Sequence, residues 1–367
     1  MLITLLIRAI TLEGAIDGIL FLMRPNWADL LKVKVWKEAV VQCFFSLTVS
    51  LGPVVTFSSY NKFDHYVQRD AMIVTTLDTV TSLLAGITTF GILGNLAHNM
   101  NESNISEVVR SGTGLAFISY PDALAKFSAV PQLFAALFFL MLSVLGIGTI
   151  AALQTTVVTN ICDKFRISYK SFWKVSLLVS TCGFLIGLVY VTPGGQWILH
   201  LVDYYAGTFV VFFLACCEVV GISWIYGLQN FCDDIEFMTK RKVSLYWRLC
   251  WGIFTPVLMI FIFIYSLTEL KPLSYGGKAY PLSADISGWL VMLIGFFQFP
   301  MWGIWFISRN FNYSLKKTLR TVTSPNSKWG PSDINIRHRW TVHKNSLQKE
   351  RNSINKCKIN IFLIKRA

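Results

Sequence analysis

Apolar residues fill this chain in long unbroken runs, without the polar positions that would give a water-soluble helix or strand its outer face. Seven runs occur, at about 40–60, 71–97, 130–159, 172–191, 207–229, 247–267 and 286–307. Each reaches the roughly 20 residues a helix needs to cross a bilayer, and a lone apolar run can satisfy its own backbone in lipid only as a helix. The pattern predicts an all-α polytopic membrane protein with seven spans. Residues 1–10 (MLITLLIRAI) form a shorter run broken by Arg8, expected to be the outer end of a truncated helix that begins before Met1. Residues 11–37 read as an outer loop, 98–129 as a large outer loop, 38–310 as the transmembrane bundle and 311–367 as a tail.

The connectors orient the bundle. Lys164, Arg166, Lys170 and Lys174 follow the third run, and Lys240, Arg241, Lys242 and Arg248 follow the fifth, whereas TPGGQWILHLVD after the fourth has no Lys or Arg. Two glycosylation acceptors, Asn101 and Asn104, follow the second run and make sense only outside. The positive-inside rule then places 61–70, both basic connectors and the tail in the cytoplasm. A third acceptor, Asn312, falls inside and is expected to be silent.

Composition narrows the classes. The chain is 54% hydrophobic and 14% charged, against about 25% charged for soluble domains, so a soluble enzyme is excluded. The net charge of +13 is confined: 14 of the 33 Lys and Arg lie from Arg309 onward, against Asp333 and Glu350 alone. That is a basic tail on a near-neutral body, which predicts a lipid bilayer as partner and no nucleic acid. The eight cysteines show no CxxC spacing and read as thiols. Neither a GxxxxGK[ST] loop nor HExxH occurs, and no enzymatic activity is expected.

Three features break the apolar pattern. Asp78 and Glu218 lie within runs, and a carboxylate at membrane depth marks either an ion pathway or an acid holding two helices together. Asp78 stands among Thr75, Thr76, Thr79, Thr81 and Ser82, hard oxygen groups suited to sodium. Thr48-Val-Ser-Leu-Gly-Pro53 reads either as a discontinuous helix whose freed backbone groups face an ion or as a plain proline kink. Leu145-Gly-Ile-Gly-Thr149 reads as close helix packing or as an exposed carbonyl.

Gln42-Cys-Phe-Phe-Ser-Leu-Thr, Ser58-Ser-Tyr-Asn-Lys-Phe63, Arg69-Asp-Ala, Gly91-Ile-Leu-Gly94, Phe138–Gly146 and Trp224-Ile-Tyr-Gly-Leu-Gln-Asn-Phe-Cys232 together resemble helices six to ten of the neurotransmitter:sodium symporters. Gly112–Tyr120 with Pro121 resembles the family's large outer loop. The VTTLDT stretch (Val74–Thr79) is most similar to the insect nutrient amino acid transporters. The resemblance runs from Met1 to Trp340 and implies the C-terminal part, from the end of helix five to helix twelve, of a twelve-helix inverted-repeat fold.

The same resemblance implies site residues. Ser46 and Asp78 match ligands of the first sodium site, and the Leu145 carbonyl and Thr149 hydroxyl match half of the second. Gly148 stands where many members carry an oxygen ligand. Phe45, Thr48, Leu51, Thr149 and Leu153 match the substrate pocket. Gln42, Ser46, Asp78 and Ser82 match the chloride site, with a carboxylate where the family most often has Asn. A fixed negative charge there repels chloride, so weak chloride dependence is expected. Asp203 and Asp163 match the outer and inner gate acids, and Tyr60 the tyrosine supporting the inner gate. Helices one and three, which supply the rest of these sites in the family, have no counterpart here.

The implied function is sodium-coupled symport of neutral amino acids across the plasma membrane, this chain being a fragment of the transporter. The alternative is a short, non-transporting chain that associates with and regulates full-length relatives. A seven-helix receptor fits the span count but not the motifs, since nothing like DRY or NPxxY occurs. Residues 341–367 alternate Lys with Asn and Ile, resemble nothing in the family and receive no assigned structure.

Overall fold

The computed structural model describes residues 1–100, 117, 118, 120–125, 130–270, 272–275, 278–309, 317, 318, 321, 323–325 and 329–364. Asn101, Asn104, Asn312 and most of the expected loop 98–129 lie outside these residues.

The described chain is helical apart from one two-residue hairpin. In order come α1 (Leu2–Ile10), α2 (Ala15–Met23), α3 (Val33–Ser46), α4 (Pro53–Ser59), α5 (Val67–Asn99), α6 (Tyr120–Ala125), α7 (Pro131–Phe165) and α8 (Phe172–Gly187). After them follow α9 (Gly195–Thr239), α10 (Leu245–Thr268), strands β1 (Ser274–Tyr275) and β2 (Lys278–Ala279), α11 (Leu282–Arg309) and α12 (Ile334–Ile364). Among the described residues six stretches are long and apolar enough to cross a membrane: α5, α7, α8 with its extension to Val191, α9, α10 and α11. They coincide with the last six apolar runs, and the chain is an all-α polytopic membrane protein.

Four details depart from the sequence reading. The first run, 40–60, is not one continuous helix: α3 stops at Ser46 and α4 starts at Pro53. Residues 11–37, expected as a loop, hold α2, whose apolar AIDGILFLM is too short to register as a span but packs on α5. α9 begins at Gly195 inside the stretch read as a connector, because Trp197 and Leu201 bury against the hairpin and α11. The tail contains α12, with Asp333 as N-cap accepting the backbone N–H groups of Asn335 (2.8 Å) and Ile336 (3.0 Å).

The chain divides into two compact units, residues 1–58 with 68–183 and residues 59–67 with 184–367. In the first, Leu5 and Ala9 of α1 meet Ile92, Leu93 and Leu96 of α5, Tyr120 and Leu124 of α6 and Phe138 of α7. The Gly91–Gly94 motif finds its reason here. A Cβ on Gly94 would sit 2.6 Å from the Gly14 carbonyl oxygen, and one on Gly18 would sit 1.9 Å from that of Phe90, so α2 reaches α5 only through glycine. Asn95, buried, donates to the Glu13 carbonyl at 2.8 Å and fixes the depth of that contact. Tyr120 stacks on Phe138 at 4.4 Å and shares a 2.7 Å hydrogen bond with Thr89. Burial pushes the Tyr120 phenol above its ordinary pKa, with the Thr89 bond opposing.

In the second unit, Tyr205 of α9 lies against Gly288 of α11, and Val210 against Gly295. α9 and α10 each contain a wide, π-type turn, Gly221–Gly227 and Cys250–Phe254. Such turns disturb the helical ladder, and here side chains of one bond carbonyls of the other. Ser223 donates to the Trp251 carbonyl (2.7 Å) and the Trp224 indole to that of Gly252 (2.9 Å).

Candidate functional site

The break between α3 and α4 carries the candidate site. Thr48 and Ser50 hold φ of 50° and 64°, and Gly52 holds 94°. A β-branched residue in the left-handed region costs of order 1 kcal/mol or more, a strain that persists only where the surroundings impose it. Here Pro53 cannot donate within a continuing helix. The turn uses local bonds instead, Thr48 N–H to the Phe45 carbonyl (3.1 Å) and Val49 N–H to that of Phe44 (3.0 Å). Gly52 packs against Thr156 of α7, where a Cβ would come within 2.8 Å of its methyl group. The discontinuous helix, rather than the kink, is what forms.

Ser46, the last residue of α3, donates from Oγ to Asp78 Oδ1 of α5 at 2.6 Å, across 32 residues of sequence. This joins the two residues that the resemblance assigned to one sodium site. Ser46 is also the C-terminal end of a helix, where the aligned peptide dipoles are negative and favour a cation. Gln42 and Ser82 lie one helical turn from Ser46 and Asp78 on α3 and α5, so spacing puts all four on facing sides of the same pair of helices. A hydroxyl and a carboxylate oxygen at this separation form a hard-oxygen pair that can hold sodium.

On α7 the Thr149 hydroxyl donates to the Leu145 carbonyl at 3.1 Å, so the two groups matched to the second sodium site are neighbours. A Cβ on Gly146 or Gly148 would meet nothing within 4 Å. Among the described residues nothing packs closely against these glycines. Of the pocket residues, Phe45 and Thr149 are exposed, whereas Thr48, Leu51 and Leu153 are half-buried; all five belong to the first unit. Gln154, one position beyond Leu153, ties α7 to α8 through Ser176 (2.9 Å) and Ser180 (2.6 Å).

The gate candidates divide between the units. Asp163 is exposed near the end of α7 in the first; Asp203 and Tyr60, also exposed, belong to the second. Asp203 opens a wide turn of α9, its Oδ1 2.9 Å from the Cβ position of Gly207. Glu218, the other intramembrane acid, is exposed on α9. Seven cysteines are free thiols, and among the described residues no group of three His, Cys, Asp or Glu could hold a metal.

A second constellation escaped the sequence reading. Asp233 and Asp234 at the far end of α9 bind the tail: Arg351 reaches Asp233 Oδ1 at 2.6 Å, Lys344 reaches Asp234 Oδ1 at 2.8 Å, and the Trp340 indole donates to the same oxygen at 2.8 Å. Tyr226 donates to Asp234 Oδ2 and accepts from Lys344 (2.8 Å) and the Trp329 indole (3.1 Å). Burial works against the charge of Lys344, but the hydrogen bonds to Asp234 and Tyr226 outweigh it and raise its pKa. The signal available was a pair of acids one turn past an apolar run, facing a tail of opposite charge.

The sequence model of the Sodium:neurotransmitter symporter family matches residues 1–310. The chain is 63% identical over 352 residues to "Sodium-dependent nutrient amino acid transporter 1" of Drosophila willistoni, covering 96% of this chain and 55% of that protein. It is 63% identical over 350 residues to the protein of the same name from Drosophila melanogaster, with 95% and 54% covered. With that of Drosophila mojavensis it is 61% identical over 361 residues, 98% of this chain and 55% of the relative. The last match takes in most of 341–367, the stretch without family motifs. The chain spans about half the length of the curated relatives it matches.

Proposed function

The chain belongs to the sodium:neurotransmitter symporter family, a family of transporters rather than enzymes, and from that premise we propose that it forms part of a sodium-coupled symporter of neutral amino acids. The plasma membrane is its proposed location, with the tail in the cytoplasm, Asn101 and Asn104 glycosylated outside, and Asp203, Asp163 and Tyr60 serving the gates. The observation that carries the reading is the Ser46–Asp78 bond at the break of α3 and α4. It supports a sodium site in which Asp78 supplies charge, Ser46 supplies a hydroxyl, and Leu145 with Thr149 contribute to a second ion. Phe45, Thr48, Leu51, Thr149 and Leu153 form one wall of an amino acid pocket whose character is neutral and moderately apolar.

Asp78 also sets the expected ion dependence. A carboxylate beside the cation supplies the negative charge that a neutral amide would leave to chloride. In a full-length relative carrying Asp at this position, uptake of a radiolabelled neutral amino acid is expected to require sodium and to change less than about twofold when gluconate replaces chloride. The Asp→Asn variant is expected to become chloride-dependent by about tenfold, a coupling of ~1.4 kcal/mol. A steep loss without chloride in the unmodified protein would sink the charge argument. Uptake indifferent to sodium would sink the symport itself. The competing reading, a non-transporting partner of full-length relatives, gains support if co-expression lowers a relative's uptake and the two co-purify.

A further inference from the structure

Beneath the tail lies a cavity of about 660 Å³, within the range of pockets that hold small molecules. Its walls come from α9 on one side, including Gly221, Ile222, Ile225 and Met238, and from Trp329 and neighbouring tail residues on the other. The polar atoms at its border are already bonded to one another. Asp234 is held by Tyr226, Lys344 and Trp340, and the Trp329 indole by Tyr226. Nothing in the wall asks for a polar ligand, so the space offers hydrocarbon contact.

Its position supplies the source of hydrocarbon. At about 1.5 Å per residue, the 45 residues of α9 are roughly twice as long as a ~30 Å bilayer core, so the helix leaves the hydrocarbon while still forming this wall. Ile225, a wall residue, is 54% exposed. Indole and phenol groups around the cavity are the side chains that favour the membrane–water interface. Bases stand next to these walls: Lys344 is paired with the wall residue Asp234, Arg337 donates to the carbonyl of Pro331, itself a wall residue, at 2.9 Å, and Lys240, Arg241 and Lys242 follow α9 directly in sequence.

We propose that this cavity binds one acyl chain of an anionic membrane lipid, whose head group rests on these bases. Hydrocarbon burial favours the acyl chain, and nearby bases favour an anionic head group over a zwitterionic one. The tail thus roofs a lipid site through the Asp233–Arg351 and Asp234–Lys344 pairs. This inference rests on the membrane placement of α9 and not on sodium symport.

The test uses the full chain in nanodiscs of uniform leaflet composition, so its orientation does not matter. The probes are a phosphatidylserine with a photoreactive acyl chain and the equally tagged phosphatidylcholine, with crosslinks mapped by peptide mass spectrometry. Labelling of Ile225, Met238 and Trp329 by the serine lipid is expected to exceed that by the choline lipid about tenfold. Labelling at Leu178, 65% exposed on α8, should not distinguish them. A Cβ on Gly221 meets nothing within 4 Å, so Gly221→Leu extends into open space and is expected to cut cavity labelling by ~tenfold while sparing Leu178. Equal labelling of the cavity by both lipids, or labelling unchanged in Gly221→Leu, overturns the proposal. If that variant fails to fold, the comparison of the two lipids on the unmodified chain decides alone.

Discussion

At the scale of single residues, the glycines divide by what surrounds them, and that division makes a prediction. Gly94 has backbone of α2 on its open side, 2.6 Å from where a Cβ would be, whereas Gly146 has nothing within 4 Å. Backbone cannot move aside as a side-chain tip can, so Gly94→Ala is expected to cost about 1–3 kcal/mol through overpacking and to loosen the Asn95–Glu13 bond. Gly146→Ala loses no space and removes an unfavourable helix residue, which favours the fold by up to about 1 kcal/mol. Thermal unfolding of the two purified variants should move in opposite directions from the parent. Equal shifts would show that α2 does not depend on this contact. Both glycines sit in motifs visible in the sequence, but only the neighbour across the contact separates one from the other.

At the scale of elements, the legibility of the sequence tracks how each element is stabilised. Spans α5 and α7 to α11 answer to the bilayer, and a long apolar run carries that information within itself. The break at Thr48–Pro53 was legible too, because Ser50, Gly52 and Pro53 weaken a helix locally. α2 was not, since its nine residues, apolar but for Asp17, acquire meaning only from the glycine face of α5. The attachment of α12 was hidden for the same reason: Asp233 and Arg351 are 118 residues apart, and a basic tail reads as solvated until its acids are located. The residues alone pointed to an ion at Asp78 ahead of a helix tie, but Ser46 as its companion was reached only through family resemblance. The tail attachment can be tested directly. Asp233 is 6% exposed while Arg351 is 40% exposed, and Gln229 also donates to Asp233 at 3.0 Å. Arg351→Ala therefore leaves a buried carboxylate with one donor fewer, at about 1–3 kcal/mol. Hydrogen exchange of residues 329–351 is expected to quicken about tenfold or more while α9 around Ser223 stays protected. The raised pKa of Lys344 gives the sign with pH: its contribution is complete below the ordinary lysine pKa of 10.5 and is lost only as pH rises through the higher folded value. Protection of the tail should accordingly persist from neutral pH to pH 9. Loss of protection over that interval would mean that Lys344 does not hold the tail.

At the scale of the whole molecule, six membrane-crossing helices and the distribution of charge must agree on one orientation. On the proposed orientation, with 61–70 on the cytoplasmic side, α5 would lead out, α7 back and α8 out. α9 then returns at Lys240–Lys242, α10 leads out to the β1–β2 hairpin and α11 returns to the tail. The basic connectors after α7 and α9 and the basic tail fall on one side under this count, and TPGG with the hairpin falls on the other. Reversing the order would put Lys164, Arg166, Lys170, Lys174, the 240–242 cluster and most of the tail's bases outside, against the bias that governs insertion. A single cysteine at Lys278 in β2 is expected to react with a membrane-impermeant maleimide on intact cells, and one at Lys242 only after permeabilisation, each measured above the labelling of the native thiols. The opposite pattern would refute the orientation. Labelling of both on intact cells would mean that α10 does not cross, and its run of apolar residues from Pro256 to Leu267 would need another partner than lipid. Ile253, Phe254, Val257, Leu258, Phe261 and Ile264 are all more than 45% exposed on that helix. So continuous an exposed apolar face suits hydrocarbon, and a crossing by α10 is therefore the expected outcome.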